Sequence, residues 1–121
     1  MKFKSLVSLL LLAGVSLANT PVWAGGTYGS KVISTRVSAY SSDPYRPVTF
    51  TSGQQAVVAL QGDGDTVLQL LVYDQNDHLI DSDTCRYSRC VATWTPNWTG
   101  PFYIVVRNLG GVYNQYEMAT N

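Results

Sequence analysis

From Lys31 onward apolar and polar residues alternate with a period of two, and no stretch of ten or more residues after the first 24 carries helical periodicity. Successive side chains of a strand point to opposite faces, so each alternating run predicts a strand with one face on a core. In Lys31 to Tyr40, Ile33, Thr35, Val37 and Ala39 alternate with Val32, Ser34, Arg36 and Ser38. Ser41 to Pro47, with two prolines and Asp43, reads as a loop, and Val48 to Thr51 as a short strand closed by Ser52-Gly53. Gln54 to Gln61 places Ala56, Val58 and Leu60 on one side. Thr66 to Asp74 is the strongest run, with Leu68, Leu70 and Val72 on one face and Val67, Gln69, Leu71 and Tyr73 on the other. His78 to Ile80 is predicted to pair with it across the turn Asp74 to Asp77. A hairpin over Cys85 to Cys90, a strand Val91 to Thr95 and a turn Pro96 to Gly100 follow. Phe102 to Asn108 faces inward with Phe102, Ile104 and Val106, Leu109-Gly110-Gly111 turns the chain, and Val112 to Ala119 is the last strand. Seven or eight short strands separated by turns predict an all-β fold, an antiparallel β-sandwich.

The first residues follow a different logic. Lys2 and Lys4 precede an apolar run from Leu6 to Leu17, and Val22-Trp23-Ala24 fits a small-x-small cleavage pattern. Residues 1–24 are therefore expected to be a signal peptide cut after Ala24, with Gly25 to Ser30 a flexible lead-in and residues 31–121 one domain. The apolar run is too short to span a bilayer, so the expectation is export to the periplasm or beyond a bacterial cell, without stable membrane insertion. Removal of the leader leaves 97 residues, six of them basic and eight acidic, a net charge of −2. That length supports one modest core, and the balance excludes nucleic acid or an anionic membrane as the obvious partner. Cys85 and Cys90 remain, and export predicts a disulfide between them. A loop this short contributes on the order of 2 kcal/mol, so the bond is expected to staple a local turn.

The order of motifs GDGDT, LQLLVYD, QNDHLIDSDT, a Cys ahead of VATWTP, WTGPFYIVVRNLG and VYNQYEM resembles the bacterial pre-peptidase C-terminal domain over roughly Gln54 to Asn121. That family is a β-sandwich of jelly-roll type, usually appended to secreted peptidases and related to the collagen-binding modules of clostridial collagenases. The resemblance implies a non-catalytic role in secretion, solubility or substrate binding, and some related modules bind calcium. No peptidase accompanies the domain within these 121 residues. Where family members tend to read DTDLDLYVYD, this chain has DTVLQLLVYD, so two outward carboxylates have become Val67 and Gln69 and an outward aromatic has become Leu71. On the later strand, Tyr103 and Val105 replace polar residues.

Catalysis finds little support. His78 is the sole histidine and lies in a polar hairpin, the cysteines are expected to be bonded, and the acids sit on turns rather than in a dry cleft. Calcium is the expected metal if one binds. Asp63, Asp65, Asp74, Asn76, Asp77, Asp81 and Asp83 fall within 21 residues and offer the oxygens that ion prefers. The EF-hand pattern is absent, and Asp and Asn also favour turns by bonding their own backbone. Val67, Leu71, Tyr73, Tyr103 and Val105 are predicted to point away from the core, and an exposed apolar patch implies a protein partner, a homodimer or a ligand. Trp94, between Thr93 and Thr95, reads as core, whereas Trp98 is the surface aromatic expected to stack on a polysaccharide. Asn97-Trp98-Thr99 matches a glycosylation sequon, incidental in a bacterial protein. The sequence therefore predicts a binding module for a peptidase or envelope component. A carbohydrate-binding module and a calcium-stabilised structural domain are the other two readings.

Overall fold

The computed structural model describes residues 31–121, so the expected signal peptide and the lead-in Gly25 to Ser30 lie outside the described residues. Eight strands follow in chain order: β1 (Lys31–Val37), β2 (Ser42–Phe50), β3 (Ala56–Gly62), β4 (Leu68–Asp74), β5 (Leu79–Thr84), β6 (Arg89–Trp94), β7 (Gly100–Asn108) and β8 (Asn114–Thr120). They form two four-stranded antiparallel sheets, ordered β1-β8-β3-β6 and β2-β7-β4-β5. Only the β4–β5 hairpin stays within one sheet; every other connection crosses to the opposite one. Two sheets in this order make a jelly roll.

The inward positions read from the alternation are those that fill the core. Val58 and Leu60 on β3, Leu68, Leu70 and Val72 on β4, and Phe102, Ile104 and Val106 on β7 are all buried, joined by Phe50, Tyr116 and Met118. Removing an aliphatic or aromatic side chain of this size from water stabilises the fold by about 2 kcal/mol. Trp94 packs against the same cluster, edge-on to Phe50 with ring centroids 4.9 Å apart. It is core, as the flanking threonines implied.

Two stretches depart from the sequence reading. Ser41 to Pro47 is not a loop: residues 42–50 form the edge strand β2. An edge strand tolerates proline because its outer side donates to no neighbour. A register shift between Tyr45 and Val48 absorbs Pro47. The strand predicted at His78 to Ile80 is instead β5, which continues through Asp81-Ser82-Asp83 to Thr84. These polar residues remain extended because β5 is the other edge of that sheet.

Regular alternation between sheets fixes where the connections lie. The β1–β2, β3–β4, β5–β6 and β7–β8 connections (residues 38–41, 63–67, 85–88 and 109–113) all emerge at one end of the sandwich, here termed the loop end. The β2–β3, β4–β5 and β6–β7 connections emerge at the other.

Candidate functional site

Two buried asparagines build the loop end. Asn108, at the end of β7, donates from Nδ2 to the carbonyls of Ser38 and Val112 at 3.2 and 2.8 Å, and its Oδ1 accepts from Gly110 N–H at 3.0 Å. Asn114, at the start of β8, accepts from Asp63 N–H at 3.1 Å and donates to both the carbonyl and the hydroxyl of Thr66. Asp63 completes the clamp with its carboxylate, which accepts from Asp65 N–H and Gln115 N–H at 2.9 Å each. Gly110 is required by close approach, since a Cβ there would stand 2.5 Å from Thr66 Cγ2. Buried amides with several partners each rigidify the segments they join.

On these fixed loops sit the exposed apolar side chains Tyr40, Val67, Leu109, Val112 and Tyr113, and Tyr87 is exposed on the separate β5–β6 connection. The Arg36 guanidinium lies 4.9 Å from the centre of the Tyr113 ring, a cation–π contact that holds the ring in place. The β5–β6 connection is a two-residue hairpin. Arg86 and Arg89 exchange backbone hydrogen bonds of 3.0 and 2.9 Å around Tyr87 and Ser88. The predicted Cys85–Cys90 disulfide is formed and closes the hairpin beneath them. Tyr87 and Ser88 both have positive φ, 51° and 70°. Such a turn ordinarily carries Asn-Gly, and each bulkier residue in the left-handed region costs about 1 kcal/mol.

The outward strand face predicted to bind a partner is only partly available. Tyr73, Tyr103 and Val105 do come together, with Pro44, Tyr45 and Asp77, around a shallow groove of about 360 Å³. Leu71 points outward as expected but is only 7% exposed, which corrects its placement as a surface residue. β4 is an inner strand, and Val105 on β7 and Ser82 on β5 flank Leu71 from both sides. Val67 lies ahead of β4 and belongs to the loop end.

The seven residues expected to hold calcium are not brought together. Asp63 and Asp65 lie at the loop end, Asp74, Asn76 and Asp77 at the opposite end of β4, and Asp81 and Asp83 along the edge strand β5. Among the described residues no three His, Cys, Asp or Glu side chains are placed to share a metal. Four of these carboxylates accept backbone hydrogen bonds instead. Besides Asp63, Asp74 accepts from Asn76 N–H and His78 N–H, Asp81 from Ser82 N–H and Thr93 N–H, and Asp83 from Val91 N–H. The His78 N–H, foremost, holds the Asp74 carboxyl below the usual carboxylate range. His78 itself is an exposed hairpin residue, its Nδ1 3.3 Å from Asp74 Oδ2. No cysteine is free to act as a nucleophile.

At the end opposite the loop end, Trp98 is 36% exposed and stacks on Phe102 at 5.5 Å, leaving one ring face to solvent. Between the sheets, Tyr116 donates to Asp43 at 2.8 Å, and the Tyr45 hydroxyl bonds that of Tyr116. Burial raises the pKa of both phenols, so this chain of hydroxyls is a neutral pin between β8 and β2.

Tyr40, Tyr87 and Tyr113 each sit in or beside a turn along the sequence. Their placement at one end follows from strand parity, and reading Ser41 to Pro47 as a loop obscured that parity.

No protein-family model matches the chain, and no curated protein matches it. Its fold does match solved structures. The pre-peptidase C-terminal domain of a collagenase from Bacillus anthracis superposes with a TM-score of 0.63 at 12% identity, over 76% of this chain and 89% of that one. A periplasmic inhibitor of g-type lysozyme from Aeromonas hydrophila gives 0.55 at 12% identity, over 76% and 84%. The Yersinia pseudotuberculosis-derived mitogen gives 0.55 at 11%, over 77% and 85%. The chain therefore shares the β-sandwich fold of the pre-peptidase C-terminal domain, as the order of its sequence motifs implied.

Proposed function

We propose that this is an exported, non-catalytic module that binds a protein partner through its loop end. The observation that carries the reading is the exposure of Tyr40, Leu109, Val112 and Tyr113 on loops pinned by Asn108 and Asn114, with Tyr87 exposed on the far flank of the same end. Rigid aromatic side chains on loops of a sandwich supply contact area at little entropic cost, and exposed apolar side chains grouped on one connection, as Leu109, Val112 and Tyr113 are, mark an interaction surface. The aromatic groove of Tyr73 and Tyr103 on the flank is a second contact surface in the same reading. A protein of the same fold is a lysozyme inhibitor, so g-type lysozyme is the first partner to test.

The test is a binding titration of residues 25–121 against g-type lysozyme, beside retention on insoluble polysaccharides. Binding to the enzyme that Val112→Arg and Tyr113→Ala abolish, in variants that melt like the wild type, supports the reading. Retention on polysaccharide that Trp98→Ala abolishes, with no protein bound, overturns it in favour of a carbohydrate-binding module.

A further inference from the structure

We infer that the segment Gly25 to Ser30 lies as a strap across the outer face of the β1-β8-β3-β6 sheet, with the Tyr28 ring over Ala59 and Ala119 and the Tyr28 hydroxyl donating to Glu117. This surface is separate from the loop end, and the inference does not depend on partner binding there.

Side chains on the outer face of a sandwich sheet ordinarily meet water. Val58 and Leu60 on β3 and Tyr116 and Met118 on β8 fill the core, so Val57, Ala59 and Gln61 on β3 and Glu117 and Ala119 on β8 point the other way. The centre of this outer face is nevertheless dry. Val57, Ala59 and Ala119 are buried, and Glu117 is only 5% exposed. Val32 on β1 and Val91 on β6, which flank the two alanines in register, are exposed. No strand among the described residues lies over this face, because the other sheet packs on the inner one. Two acceptors at its centre lack donors. Glu117 and Gln61 stand directly opposite each other on β8 and β3, and the Oε1 of each is buried without a hydrogen-bond partner. A buried polar atom left without a partner is rare in a native fold. Burial pushes the Glu117 carboxyl above the usual range. Ser34 of β1 flanks Glu117 on its other side, and neither Arg36 nor Arg89, the cations of the flanking strands, forms an ion pair with it among the described residues. Arg36 lies over the Tyr113 ring instead.

The chain ahead of β1 is placed to supply the cover. β1 is the edge of this sheet, and Lys31 stands opposite Thr120 on β8, so the preceding residues arrive beside the dry strip. Strands lie about 4.8 Å apart, which puts β3 roughly 10 Å from β1. Three extended residues span that distance, and Tyr28 is the third residue ahead of Lys31. Gly29, free to adopt conformations other residues avoid, permits the turn back over the sheet. Tyr28 is the one large side chain of the segment. Ala59 and Ala119 face each other between the longer Val32 and Val91, which leaves a recess that a ring fills. Glu117 lies two residues along β8 from Ala119, about 7 Å away. A tyrosine seated on the alanines thus brings its phenol, a hydrogen-bond donor, to the carboxyl that lacks one.

The experiment is nuclear magnetic resonance of residues 25–121, with Tyr28→Ala and Tyr28→Phe beside the wild type and sedimentation of each. Tyr28 precedes the strands, so both variants should keep the amide spectrum of the sandwich. The expected result is nuclear Overhauser contact between the Tyr28 ring and the Ala59 and Ala119 methyl groups, in a monomer. The two variants should then move the Glu117 titration in opposite directions. Tyr28→Ala admits water and returns it toward the ordinary value of about 4.3. Tyr28→Phe keeps the cover but removes the donor to the carboxylate, and raises it further. Ring contacts absent, with Glu117 titrating alike in all three proteins, overturn the strap. Ring contacts absent in a wild type that sediments as a dimer overturn it in favour of a second copy on this face.

Discussion

Asp83 on β5 accepts a hydrogen bond from the backbone N–H of Val91 on β6, at 3.0 Å and across the gap between the two sheets. Two residues away, Asp81 does the same for Thr93 N–H, also at 3.0 Å. β5 and β6 are the edge strands of their sheets on this side of the sandwich. The spacing of two matches on both strands, because alternate N–H groups of an edge strand point outward. Two side chains thus occupy the hydrogen-bonding positions where another strand would otherwise attach to β6.

Replacing Asp81 and Asp83 with Ala should therefore act twice. Each loss leaves one N–H without its charged acceptor and costs about 1 kcal/mol, which lowers the melting temperature by roughly 4–8 °C per substitution in a domain of this size. The bared β6 edge should also promote association, read as an increase in sedimenting species on warming. A double variant that melts and sediments as the wild type does would refute the capping role.

Acid should expose the role of Asp74. Its pKa lies below the ordinary value in the folded protein because the N–H groups of His78 and Asn76 and the His78 ring stabilise the carboxylate. A depressed folded pKa contributes stability that is fully present above the unfolded value, about 3.9, and is lost as pH falls through the folded value. Thermal melts between pH 5 and pH 2 should fall less steeply for Asp74→Asn than for the wild type. Parallel slopes would assign the acid sensitivity to other carboxylates.

Asn108 should be the most sensitive polar position. Its buried amide joins the β1–β2 and β7–β8 connections. Asn108→Ala strands several backbone groups and should cost about 3 kcal/mol. Amide exchange should accelerate first at Tyr40 and Gly110, whose backbones are themselves bonded at 2.9 Å.

Calcium should leave the melting temperature unchanged, with and without chelator. Asp63, Asp74, Asp81 and Asp83 direct their oxygens to backbone N–H groups in three separate places. A rise of several degrees on adding the ion would show that one of these turns reorganises around it.

Reduction of the Cys85–Cys90 bond should lower stability by on the order of 2 kcal/mol without unfolding the sandwich. The loop it closes is short, and Phe102, Leu70 and their neighbours bury the core independently of it. Cooperative thermal unfolding should persist in the presence of reductant.

The sequence by itself determined the inner faces of the strands that alternate, though not the first half of β2 or the polar end of β5. Period-two alternation reports which side of a strand meets other apolar groups, and that side is the same whatever the neighbouring strands are. Hence Leu68, Leu70 and Val72, and Phe102, Ile104 and Val106, were legible as core, and Cys85 with Cys90 as a hairpin bond. Only the tertiary structure decided which outward residues stay exposed. Leu71 and Tyr103 both point away from the core on inner strands of one sheet, yet Leu71 is 7% exposed and Tyr103 36%. Strand order also decided that Pro44 and Pro47 could sit in an edge strand, and that the acids of residues 63–83 would be distributed over both ends and one side. The placement of Tyr40, Tyr87 and Tyr113 at one end has the same origin. Residues 47 and 26 positions apart along the chain share that end because strands crossing between two sheets return their odd-numbered connections to it, with Tyr40 and Tyr87 on opposite flanks.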